Sequence, residues 1–369
     1  SMCMQSCINE NQKIYELGNG RFMIMDLANH TKEDILELYD ELKKSVEVAL
    51  EENAYRMVYT ISVGIVEIDK EMQDYDTLIK YSEFALNEAK KKGKNSCYFF
   101  TQDKYKQFIR RREIRVGLQN AVDHNFKNFD VYYQPIIDIH TRNLIGAEAL
   151  MRFKMKRNEQ IEFISPAEFI PILEESGLII PAGRWILRQA VACCKKWQEF
   201  IPEFKVNVNL SYVQIIKSRI LDEIKQALKD YNLKPALLGI EVTESGYLEN
   251  TYHYKKLWST LKKEGITLIL DDYGTGYSNA YRLSNLTPHY IKIDRVLTQK
   301  ALSSNYERSI LIYIIEMAHS LKLKVCIEGV ETEEELQEIK KLNPDYIQGY
   351  LFGKPAPEDE FYNRQIKKK

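Results

Sequence analysis

The stretch "LILDDYGTGYS" at 268–278 places two adjacent carboxylates, Asp271 and Asp272, directly after an apolar run, with Gly274 and Gly276 in the loop that follows. Two like charges side by side repel and are costly to desolvate. The same grammar recurs along the chain. Glu148 sits between Ala147 and Ala149, and Asn207-Val208-Asn209 closes another apolar run. Glu241 and Glu244 close a third, and Lys292, Glu328 and Gln348 fall in three more. Any one of these is an ordinary surface charge or salt-bridge partner. Taken together they put acids, amides and one lysine near the C-terminal ends of successive short runs. If the runs are strands of one barrel, these groups converge at its mouth, where several acids cannot all stay ionised without cations. Oxygen donors suit hard divalent ions, and the absence of nearby His or Cys argues against zinc. Two ions roughly 3.5–4 Å apart account for the adjacent aspartates, one bridging and the other serving the second ion. Such a site with a lysine suits phosphodiester hydrolysis, in which the ions acidify water and neutralise developing charge. Lys292 then donates to the attacking or phosphoryl oxygens and Glu328 accepts a proton. Gly274-Thr275-Gly276 lets the loop backbone come close.

The elements that must hold these groups read as strands at Val131–Gln134, Leu144–Phe153, Phe204–Leu210, Leu237–Thr243, Ile266–Asp272, Tyr290–Asp294, Lys324–Glu328 and Tyr346–Gly349. Helical stretches at Ser165–Ser176, Gly183–Glu199, Val213–Tyr231 and Asn305–Leu321 separate many of them. Eight strands with intervening helices predict an α/β fold, a (β/α)8 TIM-like barrel, with a doubly wound sheet as the alternative. Only Asp138–Asn143 separates the first two strands, too short for a parallel crossover, so the first strand is expected antiparallel.

Residues 1–101 read differently. Lys13–Leu17 and Phe22–Asp26 flank a Gly18-Asn19-Gly20-Arg21 turn. A helix (Thr31–Glu51), a strand (Met57–Val66), a helix (Asp76–Lys92) and a strand (Cys97–Phe100) follow. This is a smaller α+β module that opens on its hairpin, as though an upstream portion were missing. Residues 102–125 are expected to form a linking helix, with a kink near Gly117, leading into a barrel domain over 111–369.

A chain of 369 residues suits two unequal domains. The formal net charge of -1 lacks the basic bias of a surface for nucleic-acid polymers. The most apolar run, Ile310–Ile315, stops at Glu316, far short of the ~20 residues of a membrane span. No signal peptide is visible, so the expected place is the cytoplasm, or the cytoplasmic part of a longer, membrane-anchored protein. Six cysteines without metal-ligand spacing fit buried free thiols in a reducing cytoplasm.

The motif "GAEALMRF" (146–153) resembles the signature of EAL-domain cyclic-di-GMP phosphodiesterases. "YYQP" at 132, "NVNLS" at 207, "IEVTES" at 240, "LDDYGTGYS" at 270, "IKIDR" at 291, "IEGVET" at 327 and "QGYLFGKP" at 348 follow in the family's order. The resemblance runs from about Arg111 to the C terminus. It implies that Glu148, Asn209, Glu241 and Asp271 hold a first metal and Asp272 a second. Lys292 and Glu328 would be the catalytic pair, Glu244 would organise the loop after Asp272, and Gln134, Arg152, Gln348 and Glu331 would contact substrate. It further implies hydrolysis of cyclic di-GMP to linear pGpG with Mg²⁺ or Mn²⁺, in a homodimer through this domain. Tyr273 replaces a usual Phe, Asn279 a frequent Ser and Ile327 a usual Ala, and none of these removes a ligand. Two alternatives remain: a receptor that binds the dinucleotide without cleaving it, in a family whose receptors typically lose metal ligands, and a scaffold for protein contacts.

"SVGIVEI" (62–68) and "ALNEAKKKGKN" (85–95) are similar to the second half of a GGDEF diguanylate cyclase domain. The signature loop reads "GNGRF" (18–22), with Gly20 and Arg21 in the two acidic positions, and Asn9 and Gln12 stand at the upstream inhibitory site. This partial, degenerate module is expected to make no cyclic di-GMP.

Overall fold

A computed structural model describes residues 5, 7–28, 30–52, 59–68, 74–93, 95–157, 159–243, 251–274 and 287–367. The chain divides into two compact units, 1–110 and 111–369.

In the first unit β1 (Gln12–Gly18) and β2 (Arg21–Asp26) form an antiparallel hairpin. Its tip, Gly18-Asn19-Gly20, runs through positive φ angles of 80°, 53° and 70°, a conformation glycine and asparagine tolerate best. Helix α1 (Lys32–Glu52) follows, and then β3 (Val63–Ile65), α2 (Tyr75–Lys91) and β4 (Cys97–Phe99). Strands β3 and β4 pair in parallel across α2, whose first turn is capped by the Asp74 carboxylate. Gly64 lets strand and helix touch, because a Cβ there would lie 2.2 Å from the Leu86 backbone nitrogen. The strand expected over 57–66 is confined, among described residues, to Val63–Ile65. Helix α3 (Gln102–Asp123) contains the division between the units.

The second unit opens with β5 (Phe129–Asp138) and β6 (Leu144–Arg157), paired antiparallel as expected from their short connection. The Asp138 carboxylate closes that turn by accepting from the backbone N–H groups of His140 and Thr141. Next come β7 (Gln160–Ile164), α4 (Pro166–Ser176), α5 (Ile179–Trp197) and β8 (Lys205–Asn209). Then follow α6 (Tyr212–Lys217), α7 (Ile220–Asp230), β9 (Leu238–Thr243), α8 (Thr251–Lys263), β10 (Thr267–Tyr273) and β11 (Tyr290–Ile293). The chain continues through α9 (Arg295–Ser303), α10 (Asn305–Ser320), β12 (Lys324–Glu328), α11 (Glu333–Lys340), β13 (Tyr346–Gln348), β14 (Ala356–Pro357) and α12 (Glu358–Phe361).

Strands β6, β8, β9, β10, β11, β12 and β13 are neighbours in that order, and β5 closes the ring by pairing antiparallel with both β13 and β6. This is the expected eight-stranded TIM-like barrel with an antiparallel first strand. Two strands lie outside that expectation: β14 adds to β5, and β6 runs on to Arg157 and turns back as β7. The single helix expected over 213–231 is two, because Ser218 is extended (φ -123°, ψ 175°) and ends α6.

The period of two along each strand sorts the core. Val206, Val208, Ile240, Val242, Leu268, Leu270, Ile291, Ile293, Val325 and Ile327 are buried in the main core with the helices. Ile136, Ile269, Tyr290 and Cys326 form a separate apolar cluster. Asn207, Glu241, Asp271, Lys292 and Glu328 each lie two residues from, or between, members of these sets, and Gln348 lies two residues beyond Tyr346, which packs against the second cluster, so they share the barrel's interior.

Candidate active site

Lys292 is 1% exposed, and four strands deliver carboxylates to its ammonium group. The Nζ lies 2.7 Å from Glu328 Oε1, 2.8 Å from Glu148 Oε2, 3.0 Å from Glu241 Oε2 and 3.4 Å from Asp271 Oδ1. Amides support the acids. Asn209 Nδ2 donates to Glu148 Oε1 at 2.6 Å, Gln348 Nε2 donates to Glu148 Oε2 at 2.7 Å and to Gln134 Oε1 at 3.1 Å, and Asn207 Nδ2 donates to Glu241 Oε1 at 2.8 Å.

The loops that follow three of these strands are fastened at once. Ser211 and Gln214 form a capping box two residues beyond Asn209, Asp294 caps α9 two residues beyond Lys292, and Thr332 and Glu335 form a second box after Glu328. Neighbouring residues of a regular strand face opposite sides, which makes Asp271-Asp272 awkward. A register shift between Leu270 and Tyr273 resolves it. Asp272 takes φ +56°, and its N–H donates to Asp271 Oδ1 at 2.9 Å.

One ammonium does not balance these acids. Burial holds the Glu328 carboxyl up at about 8, with the charges of Asp271 and Glu148 adding to it against the pull of Lys292. Asp272 is pushed to about 6 by burial and then by Asp271. Glu241 and Asp271 are raised, both chiefly by burial. Glu148 is the exception: burial opposes its ionisation, but Lys292 and the amides of Gln348 and Asn209 outweigh that and lower it. Lys292 is itself held well above its usual range, burial notwithstanding, by Asp271, Glu148, Glu241 and Glu328.

Oxygens of Glu148, Glu241 and Asp271 lie within 4.8 Å of one another, all three residues buried. An all-oxygen set carrying surplus negative charge fits a hard divalent cation. Arg152, farther along β6 from Glu148, has its guanidinium 5.5 Å from the Tyr132 ring centre. Glu331 pairs with Arg295 at 2.7 Å. Glu244, and the loop from Thr275 to Ser278 with Asn279, lie outside the described residues.

Two buried partners lie beyond the expected site residues. Asn207 also donates to the Tyr290 hydroxyl, so this amide ties Glu241 and Tyr290 together. Both were legible as the residues two before Asn209 and Lys292, on the same strand face.

The family described as EAL domain matches residues 115–355, more than half of the chain, and the family described as diguanylate cyclase, GGDEF domain, matches residues 1–96. The signaling protein YkoW of Bacillus subtilis (strain 168) is 31% identical over 363 residues, covering 97% of this chain and 44% of YkoW. The cyclic di-GMP phosphodiesterase PdeR of Escherichia coli (strain K12) is 29% identical, covering 100% of this chain and 55% of PdeR. The chain therefore spans about half the length of these curated relatives. Among solved structures, the PaMucR phosphodiesterase in complex with c-di-GMP superposes with a TM-score of 0.63 at 29% identity, over 68% of this chain and 99% of that one. With the ordered motifs, the closed barrel and the buried acids around Lys292, the chain belongs to the EAL domain family and carries a GGDEF domain region at its N terminus.

Proposed function

We propose that this chain hydrolyses cyclic di-GMP to linear pGpG at the barrel mouth. The observation that carries the reading is the convergence of Glu148, Glu241, Asp271 and Glu328 on one buried lysine, with more acid than that lysine neutralises. Glu148, Asn209, Glu241, Asp271 and Asp272 would hold two divalent cations, Mg²⁺ or Mn²⁺. Bound there, the cations neutralise charge on the phosphoryl oxygens and make water a stronger acid.

The chain's own groups do the remaining work. Glu328, its proton affinity raised toward neutrality, accepts the proton of the attacking water at a carboxylate oxygen. Lys292 keeps its proton and presents an N–H to the developing charge. Gln134 and Gln348, already bonded to each other, orient the substrate, and Arg152 offers a guanidinium fork to a phosphate or base edge. Glu244 organises the loop after Asp272, and Glu331 adds a contact at the rim.

We assign residues 1–101 to a partial GGDEF-like module without cyclase activity, 102–125 to a linking helix and 111–369 to the phosphodiesterase domain, acting in the cytoplasm as a homodimer through that domain. No helix of the described residues is long and apolar enough to cross a membrane. The test is incubation with cyclic di-GMP and Mg²⁺, Mn²⁺ or Ca²⁺, followed by chromatography of the products. Linear pGpG in Mg²⁺ or Mn²⁺ supports the reading, whereas binding without cleavage in all three makes the chain a receptor.

A further inference from the structure

The β6–β7 hairpin extends one face of the site outward. Cross-strand partners share a face, so the register alone fixes which residues line it. Gln134 opposes Glu148, Tyr132 opposes Leu150 and Asp130 opposes Arg152 on the β5 side. Beyond them Phe163 opposes Lys154 and Ile161 opposes Lys156 on the β7 side. The face that carries Glu148 therefore continues through Arg152, Lys154 and Lys156, flanked by Tyr132, Phe163 and Ile161. At the usual rise per residue, Arg152 and Lys154 lie about 13 and 20 Å beyond Glu148 along the strand, farther than one nucleotide reaches.

Phe163 and Ile161 are 56% and 69% exposed on this face. A lone exposed apolar residue needs no explanation. These two belong to a chain of contacts. The Phe163 ring centre is 6.4 Å from Tyr132, edge to face, and Tyr132 lies under the Arg152 guanidinium. Lys154 is tied to Asp130 at 2.8 Å, which steadies the row on which Phe163 stands. Asp130 and Glu159 pair with Lys154 and Lys156, which leaves the Arg152 guanidinium to favour an anionic ligand, and an exposed aromatic beside it suits a flat base.

We infer that Phe163, on the β6–β7 hairpin, is a stacking platform for the guanine of cyclic di-GMP that lies farther from the reacting phosphate, with Tyr132 and Arg152 bridging it to the carboxylates. This rests on the dinucleotide reading above and deepens it. Phe163 is a specificity residue: it grips a base remote from the chemistry, so it contributes binding shared by ground and transition states.

The measurement is the steady-state kinetics of Phe163→Ala and Phe163→Trp on cyclic di-GMP, with calorimetric affinity for the same dinucleotide in Ca²⁺. Phe163→Ala should raise KM and Kd by about tenfold, the scale of one lost base stack, and leave kcat within about twofold. Phe163→Trp should restore affinity. Because Phe163 is exposed, thermal melting should match the parent, which separates lost stacking from lost folding. Unchanged KM and Kd in Phe163→Ala, or a loss confined to kcat, overturns the assignment. If the parent binds the dinucleotide but cleaves none, the hydrolytic reading fails and the affinities still decide the platform. If the parent does not bind it, both fail.

Discussion

Lys292 Nζ and Glu328 Oε1 are 2.7 Å apart at the ends of adjacent parallel strands, β11 and β12. The lysine keeps its proton and the glutamate, held near 8, is poised to gain or lose one. A group that holds its proton beside one that can exchange it can divide the two halves of a hydrolytic proton transfer.

Removing the lysine should separate its role from that of the metal ligands. Lys292→Ala is expected to lower kcat by at least about 100-fold through the lost donor. It should keep Mn²⁺ affinity better than Glu148→Ala, which removes a proposed ligand. Calorimetric Mn²⁺ titration beside turnover checks this. Equal loss of binding and turnover in Lys292→Ala would contradict the role given to it, and strong activity in Glu148→Ala would take Glu148 out of the ligand set.

The buried acids also set a pH dependence for the metal-free protein. Glu328 at about 8 and Asp272 at about 6 are raised above their unfolded values, so the folded state binds more protons than the unfolded one. Their stabilising protonation is complete below about pH 4 and is lost as pH rises through 6 and then 8. In EDTA, Tm should fall by about 5 °C between pH 6 and 8. Mn²⁺ should raise Tm more at pH 8 than at pH 6, since only ionised carboxylates bind it. Scanning calorimetry at both pH values reads the effect, and a metal-free Tm that is flat or rises over that interval counts against it.

Asn207 has no exposed face and bonds both Glu241 and Tyr290. Asn207→Ala leaves both without that donor and should cost about 1–3 kcal/mol in urea unfolding. Gly239 sharpens the constraint, since a Cβ there would lie 2.2 Å from the Asn207 Oδ1. Gly239→Ala should therefore destabilise as well, and parent-like unfolding midpoints for both variants would show that the amide's position does not matter.

At the GNGRF turn, Gly20 and Arg21 carry no carboxylate that could hold a metal with nucleotide, and Arg21 lies 3.9 Å from Glu83. Incubation of the protein with GTP and Mg²⁺ should yield no cyclic di-GMP by chromatography. Any accumulation in a Glu148→Ala background, where breakdown is suppressed, would restore the module to the cyclases.

Much of the site was legible because a barrel strand obeys a period of two. Once the runs were read as strands, Glu148, Glu241, Asp271, Lys292, Glu328 and Gln348 had to face one interior. The outward hairpin was not legible. Gln160–Ile164 is a short apolar-biased run immediately before a helix, and its pairing with Phe153–Arg157 depends on a turn rather than on periodicity. Glu331 lies only three residues after Glu328 in sequence, yet it pairs with Arg295, because strand periodicity ends where β12 ends.

By itself the sequence determined the types and spacing of the polar groups, the strands that carry them, and the antiparallel start that the short connection Asp138–Asn143 forces on β5. Only the tertiary structure decided which charges meet. Glu148, Glu241, Asp271 and Glu328 lie far from Lys292 along the chain and within 3.4 Å of it in space. Proton affinity depends on burial and on charges within a few ångströms, and neither quantity exists until the barrel closes.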